Sequence, residues 1–296
     1  YSSYPPICQY IFYLAVQVFP GSISSSVLVM KIFILLFEAG SLYLMYRLVQ
    51  RLRIPLKLCL LYALNPLVIV ELSGNLHFEA AMIFFTLLAI WALWEKNRFV
   101  FSAIAFGGAI ASKLLPILLL VFFFKRLGFF RTLYYSAIAF TTAFLLYLPF
   151  DILNIYENIF ESARLYFQTF EFNASIYYII RWVGFQTEGH NVIQTIGPWL
   201  SLATMAAIVV YAVFEKAFTK RLLFNALLFS LVIYHFMATT VNPWYLTPLL
   251  AFAVFTNYRF VFVWSALIPL TYIAFATEVY QDNLWIVAVS YTHLRA

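Results

Sequence analysis

Four ionisable residues stand where an apolar chain has little use for them. Glu71, His77 and Glu79 fall within nine positions of the stretch ELSGNLHFEAAMIFF, and Lys113 closes a later apolar run. A carboxylate or imidazole taken out of water is costly unless it has a partner. Such a set suits acid–base and phosphate chemistry. A carboxylate can take a proton from a hydroxyl, an imidazole can hold it, and an ammonium can meet a departing anion. Each residue also has a plainer reading. Glu71 fits a polar turn facing water, Glu79 fits the acid that caps a helix start, and Lys113 fits a lysine snorkelling to an interface.

The elements around them follow from composition. The 296 residues are 65% hydrophobic and only 10% charged, whereas soluble domains carry about 25% charged residues. Runs such as FTLLAIWALW and AIAFTTAFLLYL lack the alternation of barrel strands. The fold class is therefore all-α, a polytopic transmembrane helical bundle with about 9–10 membrane segments. Apolar helices are expected at 25–51, 56–72, 76–94, 99–112, 114–124, 131–150, 192–214, 222–240, 244–257 and 259–277, with a shorter one at 7–19. The net charge of +6 reports orientation in the membrane and not a nucleic-acid partner. Cys8 and Cys59 give neither a disulfide framework nor a metal-site spacing. No cofactor is expected, and the need for a divalent metal is open.

Arg47, Arg51, Arg53 and Lys57 lie in one connection, Lys96 and Arg98 in a second, and Lys125, Arg126 and Arg131 in a third. Lys216, Lys220 and Arg221 lie in a fourth, and Arg259 in a fifth. With these five cytoplasmic, 13 of the 18 basic residues are inside and nine of the 12 acids outside. Segment 99–124 then has basic residues at both ends and must be a hairpin, turning near Ser112 and Lys113. Arms of 11 to 14 residues reach roughly 17–21 Å, short of a hydrocarbon core of about 30 Å. Lys113 is thus expected below the outer surface, inside the protein. Glu71 to Glu79 form an outer turn at the same level. So do the loop 151–190 and Asn242 to Tyr245.

Loop 151–190 is rich in Tyr, Phe and Glu and holds Arg164 and Arg181. Aromatics beside carboxylates suit sugar rings, and an amphipathic helix on the membrane surface suits the pattern equally. Asn173-Ala174-Ser175 is an acceptor sequon. Lys31 and Glu38, seven apart, share a helix face and read first as a structural pair, with a site as the alternative. His235 reads as a cross-helix hydrogen bonder. The domain expected is 1–288, and the final VSYTHLRA, 289–296, breaks the preceding composition and reads as a non-native tail.

Tyr4-Pro5-Pro6 through Gln9-Tyr10, Asn65-Pro66 with Glu71, Gly74-Asn75-Leu76-His77-Phe78-Glu79, Lys113-Leu114-Leu115-Pro116 and Asn242-Pro243-Trp244-Tyr245 together resemble the integral-membrane glycosyltransferases of the GT-C superfamily. The likeness is greatest to polyprenol-phosphate-mannose-dependent mannosyltransferases of the bacterial alpha-mannosyltransferase type, over most of 4–280. The resemblance implies a sugar, mannose, moved from a polyprenyl-phosphate donor to an extracytoplasmic acceptor hydroxyl with inversion. The acceptor would be a lipid or a glycan, and the place the bacterial inner membrane. Glu79 and His77 would then serve catalysis or shape the acceptor side. Lys113 would bind the donor phosphate with Arg164 or Arg181 as helpers. Asn242 would bind substrate, and Trp244, Tyr245 and Tyr4 would line the sugar pocket. In that family a catalytic aspartate lies in the first external loop, just upstream of the Tyr-Pro-Pro region. This sequence begins at Tyr1 and has no Asp before Asp151, so an N-terminally truncated fragment is expected.

Three other classes compete, one of them a structural membrane protein with no chemistry, for which the outer-face polar cluster would be accidental. A transporter or lipid flippase calls for repeat symmetry or a continuous polar path, and no motif recurs. A polysaccharide polymerase or ligase of similar hydropathy would take a lipid diphosphate donor. There is no GxxxxGK[ST] or GxGxxG motif, which argues against a nucleotide-powered machine.

Overall fold

A computed structural model describes residues 4–94, 98–150, 157, 161, 164, 168–216, 219–276 and 282–292. Lys96, Asn97, Asp151, Glu278 and the tail from 293 lie outside the described residues. Among the described residues the structure is helical, with one isolated β-bridge, Phe172 to Thr240, and no strand. The chain divides into two compact units, Tyr1–Asn158 and Ile159–Ala296.

The first unit opens with α1, Pro6–Val18, set up by an extended Pro5 and a proline in the first turn, where a missing N–H costs nothing. Helix α2, Ile23–Arg51, starts at Ser22, whose hydroxyl accepts from Ser25 N–H at 3.2 Å. Its 29 residues span about 44 Å, more than a hydrocarbon core of about 30 Å. Next come α3, Leu56–Ala63, and α4, Pro66–Gly74, bent by 49°. Asn65-Pro66 explains the bend. Proline drives the residue before it out of the helical region, Asn65 is extended, and its side chain caps Leu67 N–H at 3.0 Å. The expected single helix at 56–72 is therefore a broken one.

Helices α5, Glu79–Trp94, α6, Phe99–Ser112, and, further on, α8, Phe129–Tyr147, pack side by side with α6 between the other two. Small residues allow this. A Cβ on Gly107 would lie 2.6 Å from the Ala139 carbonyl of α8, and one on Gly108 2.9 Å from the Phe85 ring of α5. Ser102 of α6 donates to the Ala89 carbonyl at 2.7 Å and meets the Tyr135 hydroxyl at 2.9 Å, the kind of polar tie that joins helices where water is scarce. After Ser112 the chain turns into a 3-10 helix, Leu115–Phe123, and then α7, Phe124–Leu127. The hairpin is as expected, but its second arm is mostly 3-10. At about 2.0 Å per residue that arm reaches roughly 18 Å with nine residues, close to the roughly 21 Å of α6.

The second unit holds α9, Ile176–Thr187, α10, Ile193–Phe214, and α11, Lys220–Met237. A 3-10 turn, Pro243–Leu246, leads into α12, Thr247–Ala253. Helix α13, Phe260–Leu267, runs on as 3-10 to Phe275, and α14 is Leu284–Thr292. Phe172 N–H donates to the Thr239 carbonyl at 3.1 Å, and Val241 N–H to the Phe172 carbonyl at 2.8 Å. Asn173 of the sequon is fully buried and donates to the Val241 carbonyl. The expected boundary at 288/289 falls inside α14, where Tyr291 donates to the Asn173 carbonyl at 2.7 Å.

Helices α2, α8, α10 and α11 are long and apolar enough to cross a membrane, and the bent pair α3–α4 makes a fifth. Helices α1, α5, α6 and the Phe260–Phe275 segment are apolar but have 10–17 residues, fewer than the ~20 of a full span. The protein is an all-α polytopic helical bundle, and among the described residues four or five segments are long and apolar enough to cross.

Candidate active site

The first unit assembles a cluster from three places in the sequence. Helix α4 ends in a π turn, Ile69–Gly74, with Asn75 N–H bonded to the Val70 carbonyl at 2.8 Å. Such turns are rare and recur at functional sites. The wide turn rotates Glu71 inward, leaving it 1% exposed. Its carboxylate accepts from Asn75 Nδ2 at 3.1 Å and faces His77 Nε2 at 3.4 Å. His77 N–H also donates to the Glu71 carbonyl at 3.2 Å. Between these two partners Leu76 adopts φ +63°, a conformation costly for a branched side chain. The bonds on either side hold it there.

Helix α5 begins at Glu79, two residues after His77. Lys113 closes α6 in an extended conformation, its N–H on the Ala109 carbonyl. That extension lets the side chain leave the helix, and its ammonium pairs with the Glu79 carboxylate. The lysine side chain is 31% exposed and the glutamate 5%. The ammonium thus has a buried acid as its partner.

The Tyr-Pro-Pro end of the chain closes the cluster. The Tyr4 ring lies edge-on to Phe12 at 5.4 Å and to Phe78 at 6.3 Å. One turn into α1, Cys8 Sγ faces the Ser112 carbonyl at 3.8 Å, next to Lys113. Tyr4, His77, Glu79 and Lys113 thus come together as expected, with Glu71 and Asn75 added. The reading of Glu71 as a water-facing turn residue does not survive its burial. Glu71 and Asn75 are four apart on one helical face, the spacing at which side chains meet, and that signal pointed to the pair.

The other foreseen residues belong to the second unit. Arg164 pairs with Glu161 at 3.8 Å, and both are well exposed. Arg181 pairs with Glu171 at 2.5 Å and lies over the Tyr178 ring at 4.2 Å. Burial works against the charge of Arg181, but the Glu171 carboxylate more than offsets it and the net shift is upward. Glu171 also accepts from Asn191, which in turn takes the Tyr177 hydroxyl. Burial first, and then the Glu171 charge, push the Tyr177 hydroxyl well above its ordinary value. Asn242 is buried, and Trp244 and Tyr245 are half-buried on the 3-10 turn that follows the Phe172–Thr240 bridge. The bridge brings Glu171, and with it Arg181, alongside the segment leading into Asn242.

Two structural expectations resolve in different ways. His235 is fully buried with its ring nitrogens 2.6 Å and 3.0 Å from the Leu231 and Tyr245 carbonyls, which is the expected packing role. Glu38 takes the Tyr62 hydroxyl at 3.0 Å. No Lys31–Glu38 ion pair exists among the described residues, so that pairing is corrected. The bend at Asn65-Pro66 leaves Tyr62 at the end of α3, within reach of Glu38. Among the described residues, no group of three or more His, Cys, Asp and Glu could hold a metal ion.

Residues 1–127 match the model of the MptA_B family, described as alpha-(1->6)-mannopyranosyltransferase, N-terminal domain. The match takes in all of the first-unit cluster. No curated protein matches the chain. Over its first 127 residues the chain is similar to the N-terminal domain of that mannosyltransferase family.

Proposed function

We propose that the chain takes mannose from a polyprenyl-phosphate donor and passes it, with inversion, to an acceptor hydroxyl on the extracytoplasmic face of a bacterial inner membrane. The observation that carries this is the Lys113–Glu79 pair, at the end of a short hairpin and beside the Glu71–His77 pair. In this reading the donor phosphate displaces Glu79 from Lys113. The ammonium then faces the anion that leaves, and Glu79 is released toward the acceptor. The acceptor oxygen attacks the anomeric carbon, the bond from that carbon to the phosphate oxygen breaks, and the phosphate keeps the electron pair. The hydroxyl proton passes to Glu79 or to His77, which Glu71 orients. Tyr4 offers a ring to the sugar. Arg164, Arg181, Asn242, Trp244 and Tyr245, all in the second unit, are proposed as further substrate-binding residues on the ground of the resemblance.

The test is donor binding by the full chain in lipid nanodiscs, with transfer measured separately. A polyprenyl-phosphate mannose should bind in preference to a polyprenyl diphosphate sugar, and Lys113→Ala should weaken it. Preference for the diphosphate would move the protein to the polymerase or ligase class. A folded sample that binds neither donor would end the glycosyltransferase reading.

A further inference from the structure

Helix α9 has two unlike faces. Tyr177, Tyr178 and Gly184 are buried, and Arg181 on the same side is tied to Glu171. The opposite face carries Ile179, 66% exposed, Trp182, 65% exposed, and Val183. Ile176 and Phe185 flank it, also exposed. Isolated exposed apolar side chains need no explanation, but a contiguous row with a tryptophan does.

The buried face fixes the depth of this helix. Tyr177 and Tyr178 share one apolar cluster with Ile193, Ile196 and Leu200, the first turns of α10, and with Met237, the last residue of α11. Both α10 and α11 are long and apolar enough to cross a membrane. The two helix ends that receive α9 are therefore the ends of spans, where hydrocarbon gives way to headgroups. The link between α9 and α10 is short and close-packed, since a Cβ on Gly184 would lie 2.7 Å from the Val192 side chain. Helix α9 cannot swing far from that border.

The geometry points to α9 as an interfacial helix that lays Ile179, Trp182 and Val183 into the headgroup–acyl boundary of the lipid bilayer. Its only charged residue is Arg181, already engaged by Glu171. Attraction is thus by apolar burial and an aromatic belt residue, with no requirement for anionic lipid. On α10, Trp199 and Leu202 are exposed as well. The inference stands apart from the proposed reaction.

The experiment uses the full chain in phosphatidylcholine nanodiscs with an environment-sensitive fluorophore on Ile179→Cys and, separately, on Trp182→Cys. Cys8 and Cys59 are buried and are first replaced by serine or alanine. Lipids carrying a quencher near the headgroup should remove most of the emission at both positions. Lipids with the quencher near the chain end should remove little, and aqueous iodide little. The result should be unchanged when anionic lipid is added. Free quenching by iodide with no lipid quenching overturns the proposal, because the face then looks at water. Protection from both iodide and lipid also overturns it, because protein then covers the face. Two exposed positions keep the test independent of one poorly tolerated label.

Discussion

A double-mutant cycle on Lys113 and Glu79 separates chemistry from scaffolding. Lys113→Ala leaves the Glu79 carboxylate, 5% exposed, without the ammonium that pairs with it. Removing one partner of a buried pair costs about 3–5 kcal/mol. Because the lysine side chain is 31% exposed, water already screens part of the attraction, and about 2–3 kcal/mol is expected. Glu79→Gln is milder at about 1 kcal/mol, since the amide still accepts a hydrogen bond and the ammonium can turn to water. The double variant should therefore be more stable than Lys113→Ala alone, with a coupling of about 1–2 kcal/mol. Donor binding should not recover in the same way. Loss of one charge-assisted contact to a phosphate, worth about 1.5–3 kcal/mol, weakens affinity roughly 10- to 150-fold. That loss should persist in the double variant. Thermal unfolding in nanodiscs gives the stability arm, and titration with polyprenyl-phosphate mannose gives the binding arm. A double variant that regains both stability and donor binding would refute the reasoning and leave Lys113–Glu79 as a structural pair.

Cysteines placed at Ser73 and Glu188 should react with an impermeant thiol reagent from the extracytoplasmic side and one at Asn97 should not; labelling at Asn97 in sealed cells would reverse the orientation. Glu71→Ala should destabilise the first unit by about 1–3 kcal/mol, because two donors lose one buried acceptor, and Asn75→Ala by less. An unchanged unfolding temperature for Glu71→Ala would remove the case that Glu71 holds His77. Gly107→Ala should cost about 1–3 kcal/mol by overpacking, since the new Cβ meets a backbone carbonyl at 2.6 Å that cannot rotate away. Gly21→Ala, with open space around it, should be tolerated, and similar melting of the two variants would count against the packing of α6 on α8.

The sequence alone determined the class of the protein, the rough helix positions and the short hairpin at Lys113. Composition, apolar run length and the placement of basic residues are local quantities, and the membrane reads them directly. It also marked the acids, the histidine and the lysine as unusual, because charge in such a setting is costly wherever the chain goes. The partners were another matter. Glu79 meets Lys113 across 34 residues, and Tyr62 meets Glu38 across 24. Neither pairing is written in spacing along one helix. The pairing guessed from spacing, Lys31 with Glu38, is the one the structure does not make. The break at Asn65-Pro66 was visible as a dipeptide, yet the contact of Tyr62 with Glu38 of α2 needed the packed helices. The π turn that buries Glu71 depends likewise on the chain being held at both ends. Long-range contacts settle the pairings between helices, whereas the strained turn at Leu76 is held by its own neighbours Glu71, Asn75 and His77.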